Sequence, residues 1–279
     1  MLDLAYRFSL LLLILSTWST HLAAETSQSL RLGIMPFNST LALIKTHQPL
    51  RQHLQKELGQ SIDIYTSANY VAFQQDSMAG AFDLLITGPH FGVMSLEAGY
   101  IPLVRYNTTL QPIFVVRKSS KIRTVEDFKG KHIGLPNQLS VSAIGGLSWL
   151  REQGLLAGRD FTVVEKPTHG AAIAAVTVGD LDAALTTYTP LKQIPNDIRD
   201  HIEFMPTEVM MPHLMTLTHE RLGKGKIQQI LEALNSFPAT PEGEAFFKNT
   251  GYHGYIAVDN EGIEKLYPYV PIVKELMQK

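Results

Sequence analysis

From Leu30 onward, short apolar runs alternate with longer amphipathic stretches, a pattern that admits few folds besides a largely parallel sheet flanked by helices. Leu30 to Met35, Ile62 to Tyr65, Phe82 to Ile86 and Ile101 to Tyr106 read as strands. Between them lie helical stretches at about Leu41 to Leu58, Tyr70 to Ala79 and Phe91 to Ala98. Gly59 closes the first of these, where a helix end favours glycine. Pro112 to Arg117 is a further apolar strand, followed by the polar Lys118-Ser119-Ser120-Lys121 and by Thr124-Val125-Glu126-Asp127, which has the form of a helix-capping box.

The alternation then begins again. Strands are expected at Lys131 to Leu135, Phe161 to Val164 and Leu181 to Leu185, with helices at Ser140 to Gln153 and Gly170 to Val178. After Pro206, His213 to Leu217 reads as a strand returning to the first unit. Three helices follow, near Ile227 to Ser236, Pro241 to Asn249 and Asn260 to Met277. The expected architecture is α/β in two lobes, residues 25–115 with 208–279 and residues 116–207, joined by two crossing strands that make a hinge. No internal repeat of fixed period is visible.

Upstream of this pattern, Arg7 precedes an apolar run from Phe8 to Leu15, and small residues lead up to Ala24. That layout predicts a signal peptide over residues 1–24, cut after Ala24, and places the mature chain in the periplasm. A membrane span needs about 20 apolar residues, and no later stretch is long and apolar enough to supply one. The chain has no cysteine, which excludes disulfides, thiolate metal sites and a lipid-modified cysteine anchor. With 45% hydrophobic and 18% charged residues it is expected to be ordered. Its net charge of -2, without a basic stripe or basic amphipathic helix, points away from nucleic acid and membrane surfaces. Any bound anion must therefore be held by local groups.

The chain carries no Gly-x-Ser-x-Gly elbow, no His-Glu-x-x-His, no phosphate-cradling glycine loop and no dinucleotide fingerprint. The expectation is a binding protein rather than an enzyme, without cofactor or metal. The most informative stretch is Gly134 to Gly146, which follows a strand and opens a helix at Ser140-Val141-Ser142. A helix start offers unpaired amides and partial positive charge, a natural seat for an anion to which Ser140 and Ser142 add hydroxyls. The alternative reading is that one of these serines caps its own helix.

Several stretches, taken in order, resemble the periplasmic phosphate-, phosphite- and phosphonate-binding protein family, the binding subunits of phosphonate-type ABC importers. They are Leu32-Gly33-Ile34, Ala68-Asn69-Tyr70, Phe82-Asp83-Leu84 leading to Thr87-Gly88-Pro89-His90, and Glu126 to Lys131. Thr168 to Ala172, Gly179 to Ala184 and Thr240 to Glu244 complete the set, so the resemblance spans essentially the whole mature chain. It implies a type II-like two-lobed binding-protein fold that closes on a small-molecule ligand in the cleft. It also implies an inner-membrane partner, an ABC permease or, in some relatives, a sensor kinase ectodomain, with the binding protein a monomer.

Carried over by position, Tyr70 matches a tyrosine that donates to the anion, Thr87 falls where the family often has a second tyrosine, and His169 matches an oxyanion-holding histidine. The family's consecutive Ser-Thr-Ser is here Gln138-Leu139-Ser140, and around Tyr188-Thr189-Pro190 there is no acid to receive an amine. Losing two hydroxyl donors costs a doubly charged ligand roughly 1 to 3 kcal/mol per unmet contact, so another oxyanion of phosphorus, arsenic or sulfur, or a less charged ligand, is an open alternative. Tyr70 and His169 also have plain readings, as a half-buried aromatic and a helix-end residue, and His90 is either a structural cap or a cleft residue. Met205, Met210, Met211, His213, Met215 and His219 suit a soft metal in type, but methionine is an ordinary core filler and the core reading is preferred.

Overall fold

The computed structural model describes residues 28–278; the signal peptide expected over residues 1–24 lies outside them. Two mixed sheets carry the fold, and each is built from the βα alternation read in the sequence. In the first half the elements are β1 (Leu30–Ile34), α1 (Thr40–Leu58), β2 (Ile62–Tyr65), α2 (Tyr70–Met78), β3 (Leu84–Thr87), α3 (Pro89–Ser95) and β4 (Tyr100–Tyr106). After the short β5 (Thr109–Leu110), the second half runs β6 (Ile113–Arg117), β7 (His132–Leu135), α4 (Val141–Glu152), β8 (Thr162–Glu165), α5 (His169–Val178) and β9 (Ala183–Thr186). Then come α6 (Tyr188–Gln193), α7 (Asn196–Arg199), β10 (Ile202–Pro206), β11 (Met211–Pro212) and β12 (Met215–His219). The chain ends in α8 (Gly223–Ser236), α9 (Pro241–Thr250), β13 (Tyr255–Ala257), α10 (Asn260–Glu264) and α11 (Tyr269–Leu276).

The six-stranded sheet has the order β13-β4-β12-β3-β1-β2 and the five-stranded sheet the order β10-β6-β9-β7-β8. β1 pairs in parallel with β2 and β3, just as β7 pairs in parallel with β8 and β9. In each sheet the next strand, β12 or β6, is antiparallel and arrives from the other sheet. Between the sheets β5 and β11 form a separate antiparallel ribbon, Thr109 opposite Pro212 and Leu110 opposite Met211. The boundary expected between residues 115 and 116 falls inside β6, all of which pairs within the five-stranded sheet, so the chain crosses earlier, at β5.

The two sheets repeat one another residue by residue, although the sequence shows no fixed period. Asp83 Oδ2 accepts the Arg31 amide at 2.8 Å, and Asp182 Oδ2 accepts the His132 amide at 2.9 Å. Gly33 on β1 lies under Phe82 and Gly134 on β7 lies under Leu181, so close that an added Cβ would sit 2.6 Å and 2.3 Å from them. Ser39 caps α1 as Ser140 caps α4, and Asn69 caps α2 as Thr168 caps α5. The starts of four helices are thus set in matching places at the ends of two matching sheets.

One core cluster fills the first lobe, and two lie on the faces of the second sheet. Leu139 and Ile144, from the second half, belong to the first cluster, so the lobes are packed together around the helix start at Ser140. The stretch expected as one helix from Asn260 to Met277 is two, separated at Pro268, whose ring removes the amide a continuous helix requires. Thr124 and Asp127 do form a box-like cap, Asp127 Oδ2 accepting the Thr124 amide at 2.9 Å, but it closes only a short 3-10 turn at Glu126–Phe128.

Candidate functional site

A cavity of about 320 Å³ lies between the sheets, where α2, α4 and α5 begin. Each of these helices starts with a polar cap in extended backbone. Asn69 accepts the Ala72 amide at 2.9 Å, Ser140 Oγ the Ala143 amide at 3.2 Å, and Thr168 Oγ1 the Ala171 amide at 3.1 Å. Each cap occupies only the third amide of its helix, leaving the first two without an intrahelical partner. Those positions are held on the cavity wall by Tyr70, by Val141 and Ser142, and by His169 and Gly170. Ser140 is therefore both cap and wall residue, its Oγ 3.2 Å from Ser142 Oγ.

The side chains there are buried and uncharged. Burial drives the His169 pKa down to about 4, so the imidazole is neutral at physiological pH, and its Nδ1 lies 2.9 Å from Thr186 Oγ1. The Tyr70 hydroxyl is held in its protonated form by the same burial and has no hydrogen-bond partner among the described residues, although the residue is only 5% exposed. An unpaired buried hydroxyl is costly, and Tyr70 lines the cavity, so the wall carries an unmet polar group just behind its surface.

Five of the seven residues singled out in the sequence, Tyr70, Ser140, Val141, Ser142 and His169, meet on this wall. Thr87 and His90 do not. Thr87 is buried against the Met35 sulfur, its Oγ1 3.7 Å away. His90 donates from Nε2 to the Leu139 carbonyl at 2.8 Å, a bond between the two halves of the chain, and burial lowers its pKa to about 4. Its role is to hold the helix start of α4 against the first lobe.

His213, weighed in the sequence only as a metal ligand and read as core, also faces the cavity. Its Nδ1 accepts the Leu214 amide at 2.8 Å, and a backbone amide can only donate, so the neutral ring carries its proton on Nε2. Burial lowers its pKa to about 3. The methionines near it sit on different elements: Met211 and Met215 are buried on β11 and β12, whereas Met210 is 58% exposed. Tyr252, whose ring lies 4.9 Å from His213, Thr187 just before α6, Thr189 within it and Asn38 complete the polar wall. Thr187 follows β9 as Gly88 follows β3, so the internal correspondence of the two sheets would have located it.

Comparison with known proteins places this geometry. Residues 32–262 match the family described as "ABC transporter, phosphonate, periplasmic substrate-binding protein". The fold is that of a binding protein component of an ABC phosphonate transporter from Pseudomonas aeruginosa, with a TM-score of 0.78 at 12% identity over 90% of this chain and 89% of that one. It is also that of PhnD1 from Prochlorococcus marinus in complex with methylphosphonate, at 0.75 and 16% identity over 88% and 98%. The alkanesulfonate-binding protein SsuA from Xanthomonas axonopodis pv. citri, bound to MOPS, is similar at 0.60 and 18% identity over 89% and 93%. These likenesses fix the two-lobed α/β fold, and the match along most of the sequence gives the family: the chain belongs to the periplasmic substrate-binding proteins of phosphonate ABC transporters.

Proposed function

We propose that the protein captures a small oxyanion-bearing solute in the cavity between its lobes and delivers it, as a monomer, to an ABC permease without altering it. The single observation that carries this reading is the convergence on one buried wall of the α4 and α5 helix starts and of Tyr70, whose hydroxyl has no partner among the described residues. Free amides and partial positive charge suit an oxyanion, and the neutral imidazoles of His169 and His213 add ring N–H donors or acceptors without a formal charge. Residues 1–24 direct export and are removed, and the β5–β11 ribbon is the hinge about which the lobes part to admit the solute.

The test is a thermal-shift and calorimetric survey of the protein against phosphate, phosphite, methylphosphonate, arsenate and alkanesulfonates. A solute at one hundred times its dissociation constant stabilises the fold by about 2.7 kcal/mol, a clear rise in melting temperature. His169→Ala should weaken the solute that binds by about tenfold, equal to about 1.4 kcal/mol. Absence of any shift across the survey, or recovery of a chemically altered solute, overturns the reading.

A further inference from the structure

We propose that the solute carries no more than one negative charge and a body of several carbons, so that an amphiphilic monoanion, rather than phosphate or methylphosphonate, fills this cavity. The inference deepens the function proposed above and rests on the cavity being the solute site. Three observations support it.

The first is electrostatic. Among the described residues no lysine, arginine, aspartate or glutamate lines the cavity. The lining histidines, His169 and His213, are held neutral by burial. What remains is hydroxyls, amides and helix starts that carry roughly half a unit of positive charge each. The starts of α4 and α5, whose first two residues both line the cavity, together offer about one unit, matched to one negative charge at the head, whereas a second buried negative charge would have no cation to meet it.

The second is volume. A water molecule's share of the liquid is about 30 Å³, so 320 Å³ admits on the order of ten non-hydrogen atoms. Phosphate and methylphosphonate fill roughly half of that. The third is the chemistry of the rest of the wall, where Phe37, Leu110, Ile194, Ile198 and Leu214 present carbon and no polar side-chain atom. Binding pockets combine such a surface with a few polar groups when the ligand itself has an apolar part and a polar head. Ser140, Ser142 and His169 at the helix starts mark the polar end.

The experiment is isothermal titration of the protein with inorganic phosphate, methylphosphonate and straight-chain alkanesulfonates from methane- to hexanesulfonate. The matching alkylphosphonates are titrated in alkaline buffer, where they carry two negative charges. Affinity should rise about fourfold per methylene along the sulfonates while the wall is being covered. Hexanesulfonate should exceed hexylphosphonate by at least about tenfold. Ile198→Asn, which places an amide on the carbon wall, should reduce hexanesulfonate affinity several-fold. A flat chain-length series, a preference for the doubly charged phosphonates, or phosphate or methylphosphonate binding as tightly as hexanesulfonate overturns this inference and leaves the oxyanion reading standing. Failure of every probe to bind overturns both.

Discussion

Tyr70 shows at the residue scale how a binding site is held at the expense of stability. Its ring packs 6.2 Å from Phe91 and is buried, yet its hydroxyl has no partner among the described residues. Removing that oxygen leaves the packing in place and relieves an unmet polar group worth about 1 to 3 kcal/mol. Tyr70→Phe should therefore raise the melting temperature of the solute-free protein while lowering affinity for the bound solute by about tenfold. Differential scanning calorimetry and titration on the same preparation read the two effects, and a variant that loses stability as well would place the hydroxyl in the fold rather than the site. His90 makes the contrasting case. It stood beside Tyr70 among the sequence candidates, and its Nδ1 likewise has no partner among the described residues, but it lies off the cavity wall and its Nε2 is committed to the Leu139 carbonyl, so its contribution is to bring the lobes together.

At the scale of elements, the strand-to-helix junctions decide where chemistry is possible. The close packing of the Phe82 ring over β1 requires a residue without a side chain at position 33. A methyl group there would lie 2.6 Å from the ring of Phe82, which is buried and stacks on Phe73 at 5.4 Å, so the ring has little room to yield. Gly33→Ala is expected to destabilise by about 1 to 3 kcal/mol, measured as a lower denaturant midpoint at unchanged slope. The same junctions explain why most elements were legible in advance. Alternating apolar runs and polar caps such as Ser39 and Ser140 act locally, and local rules place them. The helix break at Pro268 could have been read from the proline itself, whereas β13 owes its three residues to pairing with β4 and has little signal of its own.

For the whole molecule, four histidines act together against acid. His47, His90 and His169 have pKa values lowered to about 4 and His213 to about 3, all chiefly by burial, from an ordinary value of 6.5. Their protonation is disfavoured only in the folded state, so stability is complete above about pH 6.5 and is lost as the pH falls toward 4. Between those limits each histidine lowers the folding constant by roughly tenfold per pH unit. A denaturation series from pH 7.5 to pH 4.5 should show the steepening loss, and a flat profile would contradict the neutral burial of these rings. Closure is the second property of the whole. Leu139 from the second lobe is 5% exposed within the first lobe's core, and Leu139→Ala removes that plug. Small-angle scattering should give the variant a larger radius of gyration than the parent in the absence of solute; an identical radius would show that other contacts keep the lobes closed.

The sequence by itself determined the α/β class, most of the longer strands and helices, the helix start at Ser140-Val141-Ser142, and the family, because these follow from local periodicity, capping and short ordered motifs. Only the tertiary structure decided which candidates share a wall. Tyr70, Ser142 and His169 are brought together from three helix starts far apart in the chain, while Thr87 and His90, equally prominent in the sequence, turn into the packing behind it. His213 enters the site because β12 returns from the second lobe to the first; the sequence showed the returning strand, but not that its start would face the cavity. The uncharged character of the wall is likewise a tertiary fact: the chain has 24 basic and 26 acidic residues, and the folding of two matching lobes leaves every one among the described residues outside the cavity.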